Sequence, residues 1–443
     1  MAFHTEGIVS LKGKVSVQCW HPGLSMEPIF VVKIDKWPEI RQDHGYFLSL
    51  VARQNPRRTE DFPLKKVYIS VINDLVTDQR VHRVAALLQS EGLDVICIGR
   101  RLKESPDPKG ISCRYRRYRM LFRKGPLFYA CYNIRLFLGL LFSAKPALFI
   151  ANDLDTLPAT FLAGRIRNVP LIYDSHELFT EVPELIERPL VRGIWKRIEK
   201  WIVPRLKHAV TVSRSIADHY QGLYGIRFRV VRNLPSGRVP RPDPSVKDQY
   251  PGKKIVIYQG ALNVGRGLEL VIASMHYLDD VILILAGSGD IEQKLRKLVR
   301  DMGLRERIVF RGRLTPDVLF PITCAADAGI SLEEDLGLSY RYALPNKIFD
   351  YIQAGVPVLC SALPEMSRIV EHYGVGIVTG ERDPEKVAKI IRNICFDRGR
   401  EFWREALERA AGELCWENES AGYLQLLGEC GLAVRGSKTN STS

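Results

Sequence analysis

Three features that would identify other classes of protein are missing from this sequence of 443 residues. The nine cysteines include no Cys-x-x-Cys pair, so we expect reduced thiols in a cytoplasmic protein rather than a zinc module or a disulfide framework. The first 30 residues do not show the basic start and compact apolar run of a secretory signal, so we expect none. No stretch reaches the ~18 apolar residues of a spanning helix, and residues 127–150 are interrupted by Arg135 and Lys145.

The composition is that of a globular protein. At roughly 150 residues per domain, the chain has room for two or three domains. Apolar residues make up 46% and charged residues 26% of the sequence, which excludes a collagen, a long coiled coil and a wholly disordered chain.

Positive charge is concentrated in the first half. Residues 1–235 contain 37 Lys and Arg against 22 Asp and Glu, whereas residues 236–443 contain 27 against 28. Residues 100–124 alone carry ten basic and two acidic side chains. This distribution predicts one surface that contacts an anionic partner.

Strand and helix patterns alternate in two series. Short apolar, largely β-branched runs predict buried strands at 67–72, 95–98, 147–151, 171–173 and 209–212, and again at 255–258, 281–286, 308–311, 328–331, 358–361 and 376–378. A stretch with five prolines, residues 235–251, separates the two series. The pattern predicts an α/β protein with two doubly wound Rossmann-like domains that face a cleft.

The predicted boundaries follow from these two series. They are an N-terminal extension of undetermined role (1–62), a first Rossmann-like domain (63–235), a linker (236–254), a second Rossmann-like domain (255–399), and a C-terminal helix and tail (400–443). Ligands of such folds bind at the carboxyl ends of the strands, where the candidate site residues are therefore sought.

The turn after the strand at 255–258 has the composition of a phosphate-binding turn. Gly260, Gly265 and Gly267 surround Arg266 just before a predicted helix. Small residues let backbone N–H groups approach an anion at a helix N-terminus, and a guanidinium can bind a phosphate with two hydrogen bonds. A plain strand-to-helix turn with a surface arginine explains this segment equally well.

A later segment gives a stronger indication. Asn346 begins a predicted helix, and Lys347 lies in its first turn, where the helix dipole disfavours a cation unless an anion binds there too. Asp350, one turn on, shares their face and could accept two ribose hydroxyls, as the acidic residue of dinucleotide-binding folds does. The alternative is a capped helix with an Asp–Lys pair.

These segments, with Gly287-Ser288-Gly289, resemble the nucleotide-sugar domain of family 4 glycosyltransferases of GT-B fold. The resemblance covers roughly residues 65–395. It implies retaining transfer from a nucleotide-sugar, with no tightly bound cofactor and no obligatory metal. The roles it implies are catalytic for Arg266 and Lys347, and donor-binding for Gly260, Gly265, Gly287, Gly289, Asn346 and Asp350. The chain departs from the family pattern at Ala261, where an arginine is usual, and at Tyr342, where an acid is usual.

The first half supplies candidate residues for the acceptor. His176 follows the strand at 171–173 between Asp174 and Glu177, and a histidine there can orient or polarise a hydroxyl. The family resemblance places a histidine at this position near the reacting sugar. We therefore predict that His176 is catalytic and that Asp174 and Glu177 lie on the acceptor side, a packed histidine being the alternative.

Two further polar turns are open to more than one interpretation. The first strand-to-helix turn runs from Asn73-Asp74 to Asp78-Gln79-Arg80, and its polar groups could contact an acceptor or cap the helix. Asp153-Leu154-Asp155 has the spacing of a metal-binding Asp-x-Asp. We predict instead that one of these aspartates caps a helix running from Pro158, and that there is no metal site.

The basic segment 100–124 interleaves arginines with tyrosines and precedes the apolar residues 127–142. No nucleic-acid-binding module accompanies it, so we expect no nucleic-acid partner. Contact with an anionic membrane surface fits its composition, at about 1 kcal/mol per basic residue. The alternative is a solvated loop before a core helix.

The resulting interpretation is a cytoplasmic glycosyltransferase of the hexosyltransferase type at the inner face of a membrane. It would act on a glycan or lipid-linked acceptor in cell-surface polysaccharide or glycolipid synthesis. Two alternatives stay open: a nucleotide-sugar epimerase of the same architecture, which needs no acceptor, and a non-catalytic nucleotide-sugar-binding protein, suggested by Tyr342 and Ala261.

Overall fold

The computed structural model describes residues 15–20, 29–34, 65–76, 78–102, 105 and 113–432. It divides into two units, residues 1–61 and 62–443. In the first, β1 (Val15–Trp20) and β2 (Ile29–Ile34) form an antiparallel pair that aligns Val15 with Ile34. Most of the predicted extension 1–62, and part of the basic segment 100–124, lie outside the described residues.

Within residues 62–443, seven parallel strands form the first sheet in the order β5-β4-β3-β6-β7-β8-β9. The bounds are β3 (Lys66–Asp74), β4 (Asp94–Arg100), β5 (Arg114–Tyr118), β6 (Pro146–Asn152), β7 (Leu171–Ser175), β8 (His208–Thr211) and β9 (Arg229–Val230). The five strands predicted here are confirmed. The edge strands β5 and β9 were not predicted, because an edge strand such as Arg-Tyr-Arg-Arg-Tyr needs no apolar run.

The second sheet has six parallel strands in the order β12-β11-β10-β13-β14-β15. The bounds are β10 (Lys254–Gln259), β11 (Val281–Ala286), β12 (Ile308–Gly312), β13 (Ala328–Ser331), β14 (Val358–Ser361) and β15 (Gly376–Thr379). All six were predicted: the four central strands are covered on both faces and must be apolar throughout, and the edge strands β12 and β15 also contain short apolar runs. The prediction of two doubly wound Rossmann-like domains is confirmed.

Helices cover both sheets. Those before residue 230 are α1 (Gln79–Ser90), α2 (Pro126–Leu141), α3 (Leu157–Arg167), α4 (Pro183–Ile186), α5 (Pro189–Ile202) and α6 (Arg214–Tyr224). Those after it are α7 (Pro244–Asp248), α8 (Leu268–Ser274), α9 (Glu292–Asp301), α10 (Pro316–Ala325), α11 (Leu338–Arg341), α12 (Asn346–Gln353), α13 (Pro364–Tyr373), α14 (Pro384–Arg392), α15 (Gly399–Glu413) and α16 (Trp416–Glu429). No helix in the described part of the chain is both long and apolar enough to cross a membrane.

The C-terminal segment, predicted as one helix and a tail over 400–443, contains two helices that pack on different domains. Trp403 and Leu407 of α15 lie in the core of the second domain, whereas Trp416 and Tyr423 of α16 lie in the core of the first. The chain therefore crosses between the domains a second time near residue 415. At this crossing the Trp416 N–H donates to the carbonyl of Pro235 (2.9 Å), which belongs to the first crossing.

The prediction that Asp153 or Asp155 caps the helix after Pro158 is wrong. Thr156 is the N-cap of α3 and makes no side-chain capping bond. Asp153 adopts a left-handed backbone conformation (φ 58°), and its Oδ1 accepts the backbone N–H of His176 at 2.8 Å. Its carboxylate thus orders the loop after β7 rather than a helix end.

Candidate active site

A cavity of about 740 Å³ lies between the two domains. It is bordered by the turns at the carboxyl ends of β3, β7 and β10 and by the start of α12, as the doubly wound topology requires. The predicted site residues that line it are Asn73, Asp74, His176, Glu177, Gly260, Arg266, Asn346, Lys347 and Asp350. The fold therefore brings donor-side and acceptor-side candidates together on opposite walls.

Lys347 is held by a carboxylate that our sequence analysis assigned no role. Its Nζ donates to Glu333 Oε1 at 2.8 Å, and both side chains are buried. The same Nζ lies 3.9 Å from the centre of the Tyr258 ring. Burial alone would raise the pKa of Glu333, but Lys347 outweighs this effect, so the pKa is lowered and the carboxyl is ionised. The ammonium is thereby fixed at the first turn of α12.

Arg266 completes a cationic group on the second-domain wall. Its Nη1 lies 3.9 Å from Glu333 Oε1, and its guanidinium lies over the Tyr340 ring at 5.1 Å. Arg266 and Lys347 thus share the Glu333 carboxylate, which balances only one of their two positive charges. Such an arrangement favours an anion in the cavity.

Asp350 belongs to a hydrogen-bonded chain at the floor of the cavity. Thr323 Oγ1 donates to Gln259 Oε1, and Gln259 Nε2 donates to Asp350 Oδ2, both at 2.8 Å. Burial raises the pKa of Asp350 to about 6, partly offset by Arg83. The carboxylate is oriented by Gln259 and keeps further lone pairs for hydroxyl donors.

The predicted donor-site glycines divide into two kinds. A Cβ on Gly260 would lie 3.6 Å from Lys347 Cε, so this glycine keeps the backbone close to the cation, at φ 130°. A Cβ on Gly287 would lie 1.8 Å from the Gly260 carbonyl oxygen, and one on Gly289 would lie 2.4 Å from that of Leu262. Gly287 and Gly289 do not border the cavity, and their smallness serves the packing of two adjacent turns.

Gly265 also lies outside the cavity lining. Its φ is 78°, and an added Cβ would lie 2.5 Å from Leu336 Cδ1. It therefore shapes the turn that presents Arg266. Tyr342, at the position where the family pattern has an acid, packs against the core of the first domain, and its carbonyl accepts Ser213 Oγ at 3.0 Å. This tyrosine contributes to the domain interface.

His176 lies between two carboxylates on the opposite wall. Its Nδ1 is 3.3 Å from Asp153 Oδ2, and its Nε2 is 3.6 Å from Asp174 Oδ1. Burial alone would lower the pKa of His176, but the two carboxylates outweigh it and raise the pKa well above its usual value. The imidazole is therefore protonated at neutral pH and suits the stabilisation of negative charge rather than the removal of a proton.

Asp174 lies beneath the wall and does not border the cavity. It is fully buried and bonded to Arg80, whose Nη2 donates to Asp174 Oδ1 at 2.8 Å. Burial would raise the pKa of this carboxyl, but Arg80 and His176 lower it below the usual value. Asp174 is placed to act through His176.

Glu177, Asn73 and Asp74 border the cavity on the first-domain side. Desolvation in the cleft and the nearby Asp153 raise the pKa of Glu177 to about 7. Asp74 accepts the backbone N–H of Val76 (3.3 Å), and the helix that follows is capped by Asp78 instead. The capping alternative for this turn is therefore confirmed at Asp78, whereas Asn73 and Asp74 border the cavity.

Glu333, Gln259 and Asp153 are the residues that our sequence analysis missed at this site. Each acts by orienting a predicted residue, across separations of 14, 91 and 23 positions. A carboxylate two residues after an apolar strand, as Glu333 is after β13, is the signal that could have identified one of them. In the described part of the chain no three Asp, Glu, His or Cys residues cluster as metal ligands.

Two protein-family models match the chain in sequence. Residues 78–237 match the model of Glycosyltransferase Family 4, and residues 253–397 match that of Glycosyl transferases group 1. The two matches correspond to the two sheets.

Individual proteins agree with these matches. A GDP-mannose-dependent phosphatidylinositol monomannoside mannosyltransferase of Mycobacterium tuberculosis is 24% identical over 36% of this chain and 44% of its own length. The lipopolysaccharide core biosynthesis glycosyltransferase LpsE of Rhizobium meliloti is 26% identical over 54% of this chain and 76% of its own. The chain thus spans less than half of the mycobacterial relative.

Among solved structures, Anabaena HepE in complex with UDP and glucose is similar with a TM-score of 0.65. It is 14% identical and covers 82% of this chain and 100% of its own. This likeness concerns the fold. Taken with the two family matches and the paired Rossmann-like domains, it shows that the chain belongs to the family 4 glycosyltransferases of GT-B fold.

Proposed function

We propose that this protein transfers a sugar, with retention of configuration, from a nucleotide-sugar to a glycan or lipid-linked acceptor. The observation that carries the proposal is that one cavity is lined by candidate residues from both domains. Arg266, Lys347 and Asp350 lie on one side, and the protonated His176 and Glu177 lie on the other. The donor would occupy the second domain and the acceptor the first.

The second-domain wall offers separate contacts for the parts of the donor. Arg266 and Lys347 would bind the diphosphate, and Asp350 would accept the ribose hydroxyls. Because charge grows on the diphosphate as the glycosidic bond breaks, cations fixed before the reaction stabilise the transition state more than the ground state. Lys347 is fixed in this way by Glu333. No step in this scheme requires a metal or a resident cofactor.

His176 would act at the reacting sugar. Both ring nitrogens of this imidazolium face carboxylates, so it would act through its positive charge, which can stabilise negative charge on a departing phosphate oxygen. Glu177, with a pKa of about 7, is the carboxyl on this wall that could accept a proton from the attacking hydroxyl near neutral pH. Closure of the domains would exclude water and limit hydrolysis of the donor.

The acceptor class is supported by the relatives and by the surface. The mycobacterial relative acts on a phosphatidylinositol mannoside, and LpsE acts in lipopolysaccharide core synthesis. In this chain the basic strand β5 lies beside α2, where the Arg135 guanidinium is over the Tyr118 ring. The apolar side chains Leu127, Ile134, Leu138 and Phe142 of this region are exposed. We propose that this region rests on an anionic membrane.

The test is a donor screen. Nucleotide-sugars are first ranked by thermal stabilisation, because a ligand that binds the native state raises the unfolding temperature. The best donor is then incubated with lipid extracts as the source of acceptor. We expect label transfer to lipid and donor-dependent hydrogen-exchange protection mainly over residues 254–379. Epimer formation without acceptor, binding without turnover, or protection mainly over residues 65–235 would contradict the proposal.

A further inference from the structure

A second pocket, of about 430 Å³, lies beside the cleft, and none of the residues proposed to bind the donor lines it. It is lined by four arginines, Arg100, Arg101, Arg119 and Arg123, and by the apolar side chains Leu102, Met120 and Phe122. We call it the arginine pocket. Its volume is in the range of small-molecule sites, and its lining combines charge of one sign with apolar surface.

The arginine charges are not balanced within the described residues. None of the four guanidinium groups forms an ion pair with a carboxylate in that part of the chain. Arg100 Nη1 makes only a long bond, 3.4 Å, to the carbonyl of Arg123, and its Nε is buried without a hydrogen-bond partner. Four cations this close together repel one another unless an anion joins them.

The arginine pocket opens towards the cleft. Arg100 and Leu102 line both cavities, so the pocket and the candidate active site meet at the end of β4. Leu121, between the lining residues Met120 and Phe122, is highly exposed, and so is Leu127 in the first turn of α2. An amphiphile could therefore have its anionic group in the pocket and its sugar in the cleft.

We propose that the arginine pocket binds the phosphate or diphosphate group of a lipid-linked acceptor. The inference deepens the proposed function, on which it rests, by assigning the acceptor an anionic linkage between lipid and sugar. Guanidinium groups bind phosphate oxygens through paired hydrogen bonds. A phosphate group therefore fits a pocket lined by four arginines better than a neutral glycan does. The apolar lining would contact the first carbons of the lipid.

The experiment measures binding of farnesyl diphosphate to the full chain by calorimetry, which requires no transferase activity. Arg119→Gln/Arg123→Gln removes two pocket cations. The matched control, Arg116→Gln/Lys124→Gln, removes the same charge from exposed residues of the same segment that line neither cavity. Arg266→Ala reports binding of the probe at the donor site. Arg101→Gln/Arg119→Gln is a second pocket variant, should the first unfold.

We expect the pocket variants to bind farnesyl diphosphate at least tenfold more weakly, and the control and Arg266→Ala to stay within threefold of the parent. We also expect the parent to bind farnesol at least tenfold more weakly than farnesyl diphosphate. Equal affinity of pocket and control variants would overturn the proposal, and so would a larger loss in Arg266→Ala. If pocket variants lost phosphatidylglycerol vesicle binding far more than the control, the ligand would be a bulk lipid headgroup and the proposal would be wrong.

Discussion

At the scale of single residues, the important feature of the site is that two cations, Lys347 and Arg266, lie next to one buried carboxylate, Glu333. Lys347 and Glu333 form a buried pair, and removal of one partner from such a pair leaves a charge without compensation. Arg266 is 3.9 Å from the same carboxylate but more exposed, so it contributes less to folding. Stability and catalysis can therefore be separated by comparing the two cations.

Lys347→Ala should lower both the unfolding free energy, by about 3–5 kcal/mol, and the transfer rate. Adding Glu333→Gln should restore most of the stability, because the stranded charge is removed, without restoring transfer. Arg266→Ala should leave the melting temperature nearly unchanged and reduce transfer by about 10²–10³-fold. Chemical denaturation and initial rates measure both quantities. Transfer by Arg266→Ala within twofold of the parent would refute the assignment to the leaving diphosphate.

Asp350 should make donor binding depend on pH. Its pKa is raised to about 6, so roughly a tenth of the carboxyl is ionised at pH 5. Because ribose hydroxyls donate to the ionised form, donor affinity should fall about tenfold from pH 7.5 to pH 5. Calorimetry at several pH values checks this, with Asp350→Asn as the control that should bind weakly and with less pH dependence. An equal pH dependence in both proteins would exclude Asp350 as its source.

The raised pKa of Asp350 affects the folding stability of the donor-free protein in the opposite direction: low pH favours the folded state. A carboxyl whose pKa is higher in the folded than in the unfolded state favours folding when protonated. Its contribution is therefore present below about pH 4 and is lost as the pH rises through about 6. Donor binding above pH 6 would offset this loss.

The sequence identified the residues that line the cavity better than those that orient them. Lys347 and Asp350 could be predicted because their spacing on one short helix is local. Glu333 and Gln259 could not, because their partners are set by which strands are neighbours in the sheet. Gly287 was predicted to bind the donor; in the structure it does not border the cavity, and its lack of a Cβ lets two turns touch, a constraint that only the packing reveals.

At the scale of elements, α2 has two apolar faces. Phe128, Tyr132, Leu136 and Leu140 are buried at four-residue spacing, while Ile134, Leu138 and Phe142 are exposed. A surface helix normally presents polar residues to water. The apolar outer face beside a basic edge strand has the composition of a membrane-contacting surface.

Charge reversal beside α2 tests the membrane contact. Arg116→Glu/Lys124→Glu should weaken binding to phosphatidylglycerol vesicles at least tenfold at low salt, because each basic residue contributes about 1 kcal/mol. Donor affinity should not change. Lys297→Glu/Arg300→Glu, on exposed positions of α9, is the matched control and should bind vesicles like the parent in sedimentation. Vesicle binding that both reversals weaken equally would indicate only a net-charge effect.

At the scale of the whole molecule, the C-terminal segment contributes to the hydrophobic cores of both domains. Tyr423 of α16 is buried in the first core, whereas Trp403 of α15 is buried in the second. Sequence periodicity indicated helix over the whole segment but could not show that it divides between two cores. That division depends on Leu414 and Cys415, where the helix is interrupted.

Tyr423→Ala and Trp403→Ala should each cost about 3–5 kcal/mol, but in different domains. Hydrogen exchange should accelerate in β3 and β6 for Tyr423→Ala, and in β10 and β14 for Trp403→Ala. The two variants serve as controls for each other, since both remove a buried aromatic ring from neighbouring helices. Equal acceleration in both sheets by either variant would show that the two domains unfold as one cooperative unit.

The paired crossing at Pro235 and Trp416 has a consequence for how this architecture can be recombined. The two connecting segments are hydrogen-bonded to each other at Trp416 and Pro235, so the chain passes between the domains twice at one place. A chimaera that exchanged everything after residue 235 would bring a foreign α16 into the first core. A chimaera that folds has to keep residues 416–432 with the first domain. Donor specificity can therefore be exchanged only by replacing an internal segment that ends before residue 416.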